Sequence, residues 1–372
     1  MRGIYIHIPF CLRKCPYCDF YSVRFNENTA DEYADALIRN FKNPKYKGLQ
    51  ADTVYFGGGT PSALPPRITG RIMGALYDSF DIDKNAEITI EANPCTAALI
   101  KLRQYREMGI NRISFGVQSA DDSELEGLGR IHDFERAQRA IEDAHRAGFE
   151  NISADIMLGV AGQDVQSLMR TAERLTSLPI THISAYMLKI EPGTPFDNEH
   201  TRAAIADEDT VSDMYIALCE KLEDKGFCHY EISNFAKAGF ESRHNLKYWT
   251  AGEYAGFGTA AHSLYKGQRY YVPKDIAAFI DAPYQQEIEE EEPHSEREEY
   301  IMLALRVSEG LDEKKLISLY GEENTGRLMS LAKVYESHGL CRISGGRVSL
   351  TPRGFLVSNT IIVEFLHAVG LA

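Results

Sequence analysis

Three cysteines near the start of the chain, Cys11, Cys15 and Cys18, have the residue type and spacing for metal chemistry. They lie in His7-Ile-Pro-Phe-Cys-Leu-Arg-Lys-Cys-Pro-Tyr-Cys-Asp-Phe20, a C-x3-C-x2-C run. Three thiolates on one short loop suit three irons of a [4Fe–4S] cube and leave the fourth iron without a protein ligand, whereas four-cysteine electron carriers close that position. Zinc is the competing metal. Its sites usually pair C-x2-C with a second ligand pair downstream. Here no second C-x2-C or H-x3-H follows, and Cys95, Cys219, Cys228 and Cys341 are scattered. Seven cysteines in 372 residues are too few for a disulfide framework. Lys14, Pro16 and Asp19 interrupt any apolar pattern that would mark packed core thiols.

Other chemistry-bearing residues follow at intervals. The loop Tyr55-Phe-Gly-Gly-Gly-Thr-Pro61 offers glycines whose bare backbone approaches a ligand closely. It lacks the spacing of a Walker loop or of G-x-G-x-x-G, so phosphate binding is not indicated. Glu91 ends one apolar run, Gln118 ends the next, and Asp155 lies within Ile152-Ser-Ala-Asp-Ile-Met157. Parallel α/β barrels place their sites at the C-terminal ends of strands, although a lone carboxylate there often only caps a helix. Arg130, in Leu128-Gly-Arg-Ile-His132, is placed either to pair a ligand carboxylate or to close a loop salt bridge.

The elements that must position these residues are legible as alternating patterns. Apolar runs at Gly3–Ile8, Asp52–Phe56, Glu87–Glu91, Arg112–Val117, Ile152–Met157 and His182–Met187 read as buried parallel strands. Helical stretches lie between them. Thr29 with Glu32 reads as a capping box, Thr96 precedes a helical run, Arg136–Ala147 stops at Gly148, and Gln166–Leu178 stops at Pro179. Six β/α units predict a parallel sheet with right-handed crossovers. After residue 190 the pattern changes to a helix over 207–225 and a short strand at Cys228–Ile232, so an open six-unit barrel fits better than a closed eight-unit one. The acidic run 285–293 reads as a solvated connector. Beyond it, helices at 295–306, 312–320 and 322–338, strands at Leu340–Ile343 and Arg347–Leu350 and a closing helix at 353–368 have the order of a winged helix. A net charge of −14 argues against broad capture of nucleic acid or anionic lipid. No apolar run reaches the 18 or so residues of a membrane span. Free thiols and a labile cluster predict a reducing cytoplasm, with at most peripheral membrane association.

The cysteine spacing on an N-terminal strand and loop resembles the radical S-adenosylmethionine (SAM) superfamily. That resemblance implies a partial (β/α)6 barrel, a [4Fe–4S] cluster whose open iron takes the amino and carboxylate groups of SAM, and one-electron cleavage of SAM to a 5′-deoxyadenosyl radical. Polar groups on successive strand ends then fit as acceptors for the hydroxyls and ammonium of SAM. His-Ile-Pro-Phe-Cys-x3-Cys-x2-Cys, Gly-Gly-Gly-Thr-Pro, Glu-Ala-Asn-Pro, Gly-Val-Gln-Ser and Leu-Gly-Arg-x-His, in that order, resemble the oxygen-independent coproporphyrinogen III oxidase family, which includes the HemN oxidases and the HemW haem chaperones. The likeness spans residue 1 to about 370. It implies that Tyr5, Tyr17, Gly58, Gly59, Thr60, Glu91, Gln118, Arg130 and Asp155 line the SAM site.

Three features favour the chaperone branch. The oxidases resemble C-x3-C-x2-C-x-C, where this chain has Phe20; they carry an N-terminal extension, where the first strand here begins at Gly3; and the chaperones carry H-N-x-x-Y-W, which reads His244-Asn-Leu-Lys-Tyr-Trp249 here. The resemblance thus implies haem as cargo, with His244 as iron ligand and Tyr248 and Trp249 as flat cover. Alternatively, these residues simply close the barrel, with His262 as a second candidate ligand. Partners implied are haem, apo-haemoproteins including respiratory ones, and a reductant protein for the cluster, with no nucleic acid; a homodimer is allowed. Coproporphyrinogen decarboxylation is the alternative activity, and another radical SAM reaction such as methyl transfer a third. Two departures stand out: Gly159-Val-Ala-Gly-Gln163 where the family has Gly-Leu-Pro-Gly-Gln, and Gly258-Thr-Ala-Ala-His262 where it has a Gly-Pro-Gly-Ala-His-like run. The expected domains are a barrel at 1–235, a connecting segment at 236–293 and a C-terminal unit at 294–372.

Anaerobic reconstitution should load about four irons and four sulfides per chain. Alanine at Cys11, Cys15 and Cys18 should abolish that load, and Cys219→Ala or Cys341→Ala should leave it intact. Stoichiometric zinc in anaerobically purified protein would overturn the cluster assignment.

Overall fold

In the computed structural model, which describes residues 1–288 and 295–371, the apolar runs become the strands of one large sheet. The chain opens with β1 (Arg2–Ile8), then a short parallel pair, β2 (Phe10–Cys11) with β3 (Val23–Arg24), which frames the cysteine loop. Next come β4 (Gln50–Gly58), β5 (Asp81–Ala92), β6 (Arg112–Gln118), β7 (Asn151–Leu158) and β8 (His182–Met187). With β1 they stand parallel and side by side in chain order. Helices Glu27–Phe41, Pro66–Ser79, Leu99–Glu107, Phe134–Arg146 and Val165–Thr176 connect them. Outward residues such as Ile4, Ile6, Val54, Ile90, Ile113 and Ile152 are fully buried. Residues of β1, β4, β5 and β8 line one common cavity, which a flat sheet does not permit; the sheet curls as an open barrel.

The sheet is larger than the sequence patterns indicated. On the β8 side it gains β9 (Cys228–Glu231) and β10 (Asn234–Ala236) in antiparallel pairing. On the β1 side it gains β11 (Tyr254–Phe257), parallel to β1, and then antiparallel β12 (His262–Tyr265), β13 (Gln268–Tyr271) and β14 (Glu287–Ile288). Residues 236–288 therefore extend the barrel sheet, where the sequence pattern had read a connecting segment over 236–293. Within the acidic run, Gln286 bonds Tyr46 and Lys45 and Glu287–Ile288 pair with β13; the remainder, 289–293, lies outside the described residues. Local starts also differ. Asn26, three residues before Thr29, caps the first helix: its Oδ1 accepts the otherwise unpaired Thr29 N–H of the first turn at 3.1 Å. Thr96 ends a short 3-10 turn, and the following helix starts at Leu99.

The C-terminal unit has helices Glu296–Ala304, Glu313–Tyr320 and Glu322–Ser337 and a three-stranded sheet of β15 (Leu311–Asp312), β17 (Arg347–Leu350) and β16 (Cys341–Ser344). The closing helix is two pieces, Pro352–Leu356 and Ser358–Ala368, broken at Val357 (φ −114°, ψ 19°). Contacts that dock the unit on the barrel include a backbone bridge from Glu231 to Val307, the Ile232 N–H donating to Arg306 O at 2.9 Å, the Ser308 N–H donating to Tyr230 O at 3.1 Å, an Arg269–Glu299 ion pair at 2.8 Å, and the Phe355 ring 5.0 Å from His229. Among the described residues no helix is long and apolar enough to cross a membrane.

The first helix is held to the sheet by rings. Phe257 on β11 is fully buried, with Tyr46, Phe41 and Phe80 at 4.9, 5.2 and 5.3 Å between centroids. Phe257→Ala should cost about 3–5 kcal/mol in chemical denaturation. A loss under about 1 kcal/mol would show that the added strand is peripheral to the core.

Candidate cluster and cofactor site

The cysteine loop leaves the end of β1 and returns through β3. Cys11 is buried, Cys15 and Cys18 are half-buried, and Leu12, Arg13 and Lys14 are exposed. A Cys18 N–H to Cys15 carbonyl bond of 3.1 Å closes the turn between the last two. Donors point at two sulfurs: Thr60 Oγ1 at 3.4 Å from Cys11 Sγ and Arg130 Nη1 at 3.2 Å from Cys15 Sγ. Such bonds suit thiolates and tune a cluster. Burial, with the neighbouring thiols adding, pushes the Cys18 thiol up. Among the described residues no group of three His, Cys, Asp or Glu is set up to share one metal ion. A cube instead takes each thiolate on a different iron.

The glycine loop clasps this strand. Gly59 N–H donates to Ile8 O at 2.9 Å and Thr60 N–H to Phe10 O at 2.8 Å. A Cβ on Gly59 would stand 2.9 Å from Ile8 O, Phe10 N and Phe10 O, so only glycine fits. Gly58 has φ +107°, and its Cβ would overlap the His7 imidazole. That ring is buried, 3.0 Å from Tyr21 O and 3.1 Å from Tyr5 Oη, and burial lowers it to about 4.

The strand-end polar residues converge. Glu91 accepts from Tyr55 Oη at 2.9 Å and Gly58 N at 3.2 Å; burial pushes its carboxyl up to about 7 against those bonds. Asp155 accepts from Ser114 Oγ at 3.2 Å and is pushed up to about 6 by burial, with Ser184 and Ser114 opposing. Gln118 sits at φ +78° in a register shift of β6, 8% exposed, with no protein partner for Oε1. A non-glycine residue held there, with an orphaned acceptor, marks a site strained for a ligand. The Arg130 fork is already engaged: Nη1 bonds Cys15 and Tyr17 Oη at 3.2 Å, Nη2 bonds Gly116 O at 2.6 Å, and Nε has no partner. The pairing with a ligand carboxylate expected from sequence is thus limited to the donors left over.

A cavity of about 510 Å³ opens beside these groups. Tyr5, Tyr55, Gly58 and Glu91 form its floor side, and Phe20, Tyr186, Trp249, Tyr254, His262 and Lys274 other walls. Trp249 also borders a second void of about 320 Å³ against helix Glu296–Ala304, so the indole divides the two. The structure brings Trp249 and His262 to the cavity but not His244. His244 is 0% exposed, with Nδ1 2.9 Å from Thr53 Oγ1, Nε2 2.9 Å from Tyr248 Oη and the Tyr55 ring stacked at 5.2 Å. Both nitrogens are committed, and the sequence reading of it as an iron ligand does not match this geometry. Tyr55, Tyr186, Glu231 and Lys274 also face the cavity and were not anticipated; only the two-residue periodicity linking Tyr55 to Gly57 pointed inward.

Comparison with known proteins places this architecture. Residues 5–175 match the radical SAM superfamily and residues 292–357 the HemN C-terminal domain. The fold is also that of a coproporphyrinogen III oxidase (HemN) from Escherichia coli described as a radical SAM enzyme, with TM-score 0.81 at 21% identity over 98% of this chain and 90% of that one. The class is therefore a radical SAM protein. Curated relatives narrow it. A heme chaperone HemW of Bacillus subtilis (strain 168) is 37% identical over 98% of this chain and 99% of that relative. Those of Escherichia coli (strain K12) and Mycobacterium tuberculosis (strain ATCC 25618 / H37Rv) are 36% and 30% identical, over 70% and 98% of this chain and 69% and 94% of theirs. The chain belongs to the HemW family.

Gly58→Ala should cost about 1–3 kcal/mol in backbone strain, displace His7 and lower iron retained after anaerobic desalting. Unchanged iron content and melting temperature would mean that the clasp does not hold the cysteine loop.

Proposed function

We propose that the protein is a haem chaperone that holds a [4Fe–4S] cluster on Cys11, Cys15 and Cys18, binds SAM beside it and passes haem to apo-haemoproteins. When bound, the cluster supplies one-electron chemistry and an open coordination position for SAM. The residues of the chain do the rest. Thr60 and Arg130 donate to the ligand sulfurs. Glu91, Asp155 and Gln118 present acceptors at strand ends, and the orphaned Gln118 Oε1 supports a donor-bearing ligand there.

The observation that carries the haem assignment is the composition of the cavity rim. Phe20, 69% exposed, stands at the mouth with Tyr186, Trp249 and Tyr254 as further flat faces. Exposed apolar surface of this kind marks a binding site. His262 and Lys274, both exposed, add an imidazole for iron and an ammonium for a propionate. A porphyrin needs these three chemistries together: flat apolar cover, an axial nitrogen and a cation. Phe20 also stands where the oxidases of the family resemble a fourth cysteine. The names of the HemW relatives agree with this reading.

Haem titration tests it. His262→Ala should shift the Soret band and weaken haem binding roughly tenfold, Trp249→Ala should weaken binding with less spectral change, and His244→Phe should leave the spectrum in place. With dithionite, SAM and coproporphyrinogen III, no catalytic decarboxylation is expected. Protoporphyrinogen formed at a catalytic rate would make this an oxidase.

A further inference from the structure

Arg112 opens β6 on the inward face of the barrel, 1% exposed. Among the described residues it is the only buried lysine or arginine. Its Nε and Nη1 have no protein partner. A guanidinium cannot lose its charge in a protein, and one left without a close counter-ion projects its field across a low-dielectric interior. The strand register shows where that field falls. Arg112 pairs with Thr89 of β5, and one inward step higher Ser114 pairs with Glu91 and bonds Asp155. Arg112 therefore lies one inward step below the level of Glu91 and two below that of Asp155.

We propose that Arg112 is a positioning residue for the cofactor site: a buried cation beneath the pocket that keeps Glu91 and Asp155 charged as acceptors for a cationic, hydroxyl-bearing ligand. The inference rests on the reading of those carboxylates as the SAM acceptors. Lys274 and Glu231 line the same cavity as a cation and a carboxylate of opposite sign, and the other groups packed nearer Glu91 are neutral or oppose its charge. Tyr5 of β1, Tyr186 of β8 and Tyr248 of helix Arg243–Trp249 are phenols held neutral by burial, and Asp155 of β7 is a like charge. Of the nearer groups only the Tyr55 hydroxyl, the Gly58 N–H and Arg112 favour the ionised form. For Asp155, Ser184, Ser114, Arg112 and Arg130 do so. The histidines on the same interior, His182 and His244, are depressed by burial and add no positive charge near neutral pH. Because Glu91 is raised to about 7 even with Arg112 present, the carboxylate is lost as pH falls through that value. Without Arg112 the loss moves to higher pH.

The test compares Arg112→Met, which keeps length without charge, with Arg112→Lys, which keeps charge; Arg112→Gln replaces the methionine variant should that one not fold. Carboxyl titration of Glu91 and Asp155 is followed by 13C NMR without SAM, the signals assigned with Glu91→Gln and Asp155→Asn. SAM affinity is measured from about pH 6 to 9 at equal iron content. In Arg112→Met both midpoints should rise by about one unit, and SAM affinity at pH 7 should fall roughly tenfold and recover toward about pH 9. Arg112→Lys should stay near the parent protein. Unmoved midpoints, a loss of affinity equal at every pH, or a lysine variant no better than methionine would overturn the proposal. A parent protein that fails to bind SAM would defeat the SAM reading alone, since the carboxyl titration is read without it.

Discussion

A polar interior inside a parallel sheet is the constraint on which the rest of this molecule depends. The outward faces of the strands are ordinary apolar core, but the inward faces carry Thr53, Glu87, Thr89, Arg112, Ser114, Ser153, His182 and Ser184, all buried. Buried polar groups are costly unless bonded, and most of these are paired across the barrel. Ser153 meets His182 Nδ1 at 2.8 Å, and His182 Nε2 meets Tyr230 Oη at 2.8 Å. Glu87 accepts the backbone N–H groups of Arg243 and His244 at 3.1 and 3.0 Å, and Thr53 bonds the His244 ring. The helix Arg243–Trp249 is thereby tied to the barrel floor, which presents Trp249 to the cavity while using up His244.

The same economy of space governs the cluster end. A strand that must deliver three thiols to one point is fixed on one side by β11 and on the other by β4 with its glycine loop. Tyr33 adds a bond from the first helix to His7 O at 2.8 Å and accepts Thr259 N–H at 3.0 Å. Backbone, rather than side chains, sets where the cysteines start. The departure at Gly258–His262 from the family pattern falls in this clasp, yet Gly258 keeps φ +93° and its place against His7 O.

Much of this was legible in the chain because each signal had one cause. Buried parallel strands need apolar runs, and those at Gly3–Ile8 through His182–Met187 fall within one or two residues of β1 and β4 to β8, apart from the longer β5. Strands β11 to β14 were missed because they are two to four residues long and carry glycine, tyrosine and charge, so no alternation accumulates. Gly256 is a case in point: it reads as a turn, but it pairs with Tyr5 inside β11, and glycine is required there because a Cβ would overlap the His262 carbonyl. The cofactor residues were legible as types at strand ends; their commitments were not. Sequence shows that His244 and Arg130 have nitrogens to offer, but only packing shows that Thr53, Tyr248, Cys15 and Gly116 have taken them.

Trp249 has a consequence of its own. Trp249 lines both the main cavity and the cleft against helix Glu296–Ala304, and Glu231, in the same cavity wall, bridges through its backbone to Val307 of the C-terminal unit. Two chambers that share one wall do not vary independently. Any swing of the ring toward helix Glu296–Ala304 adds to the cavity the volume that it takes from the cleft. The C-terminal unit, none of whose described residues lines the cavity, therefore helps set the cavity's size through the room it leaves behind that wall.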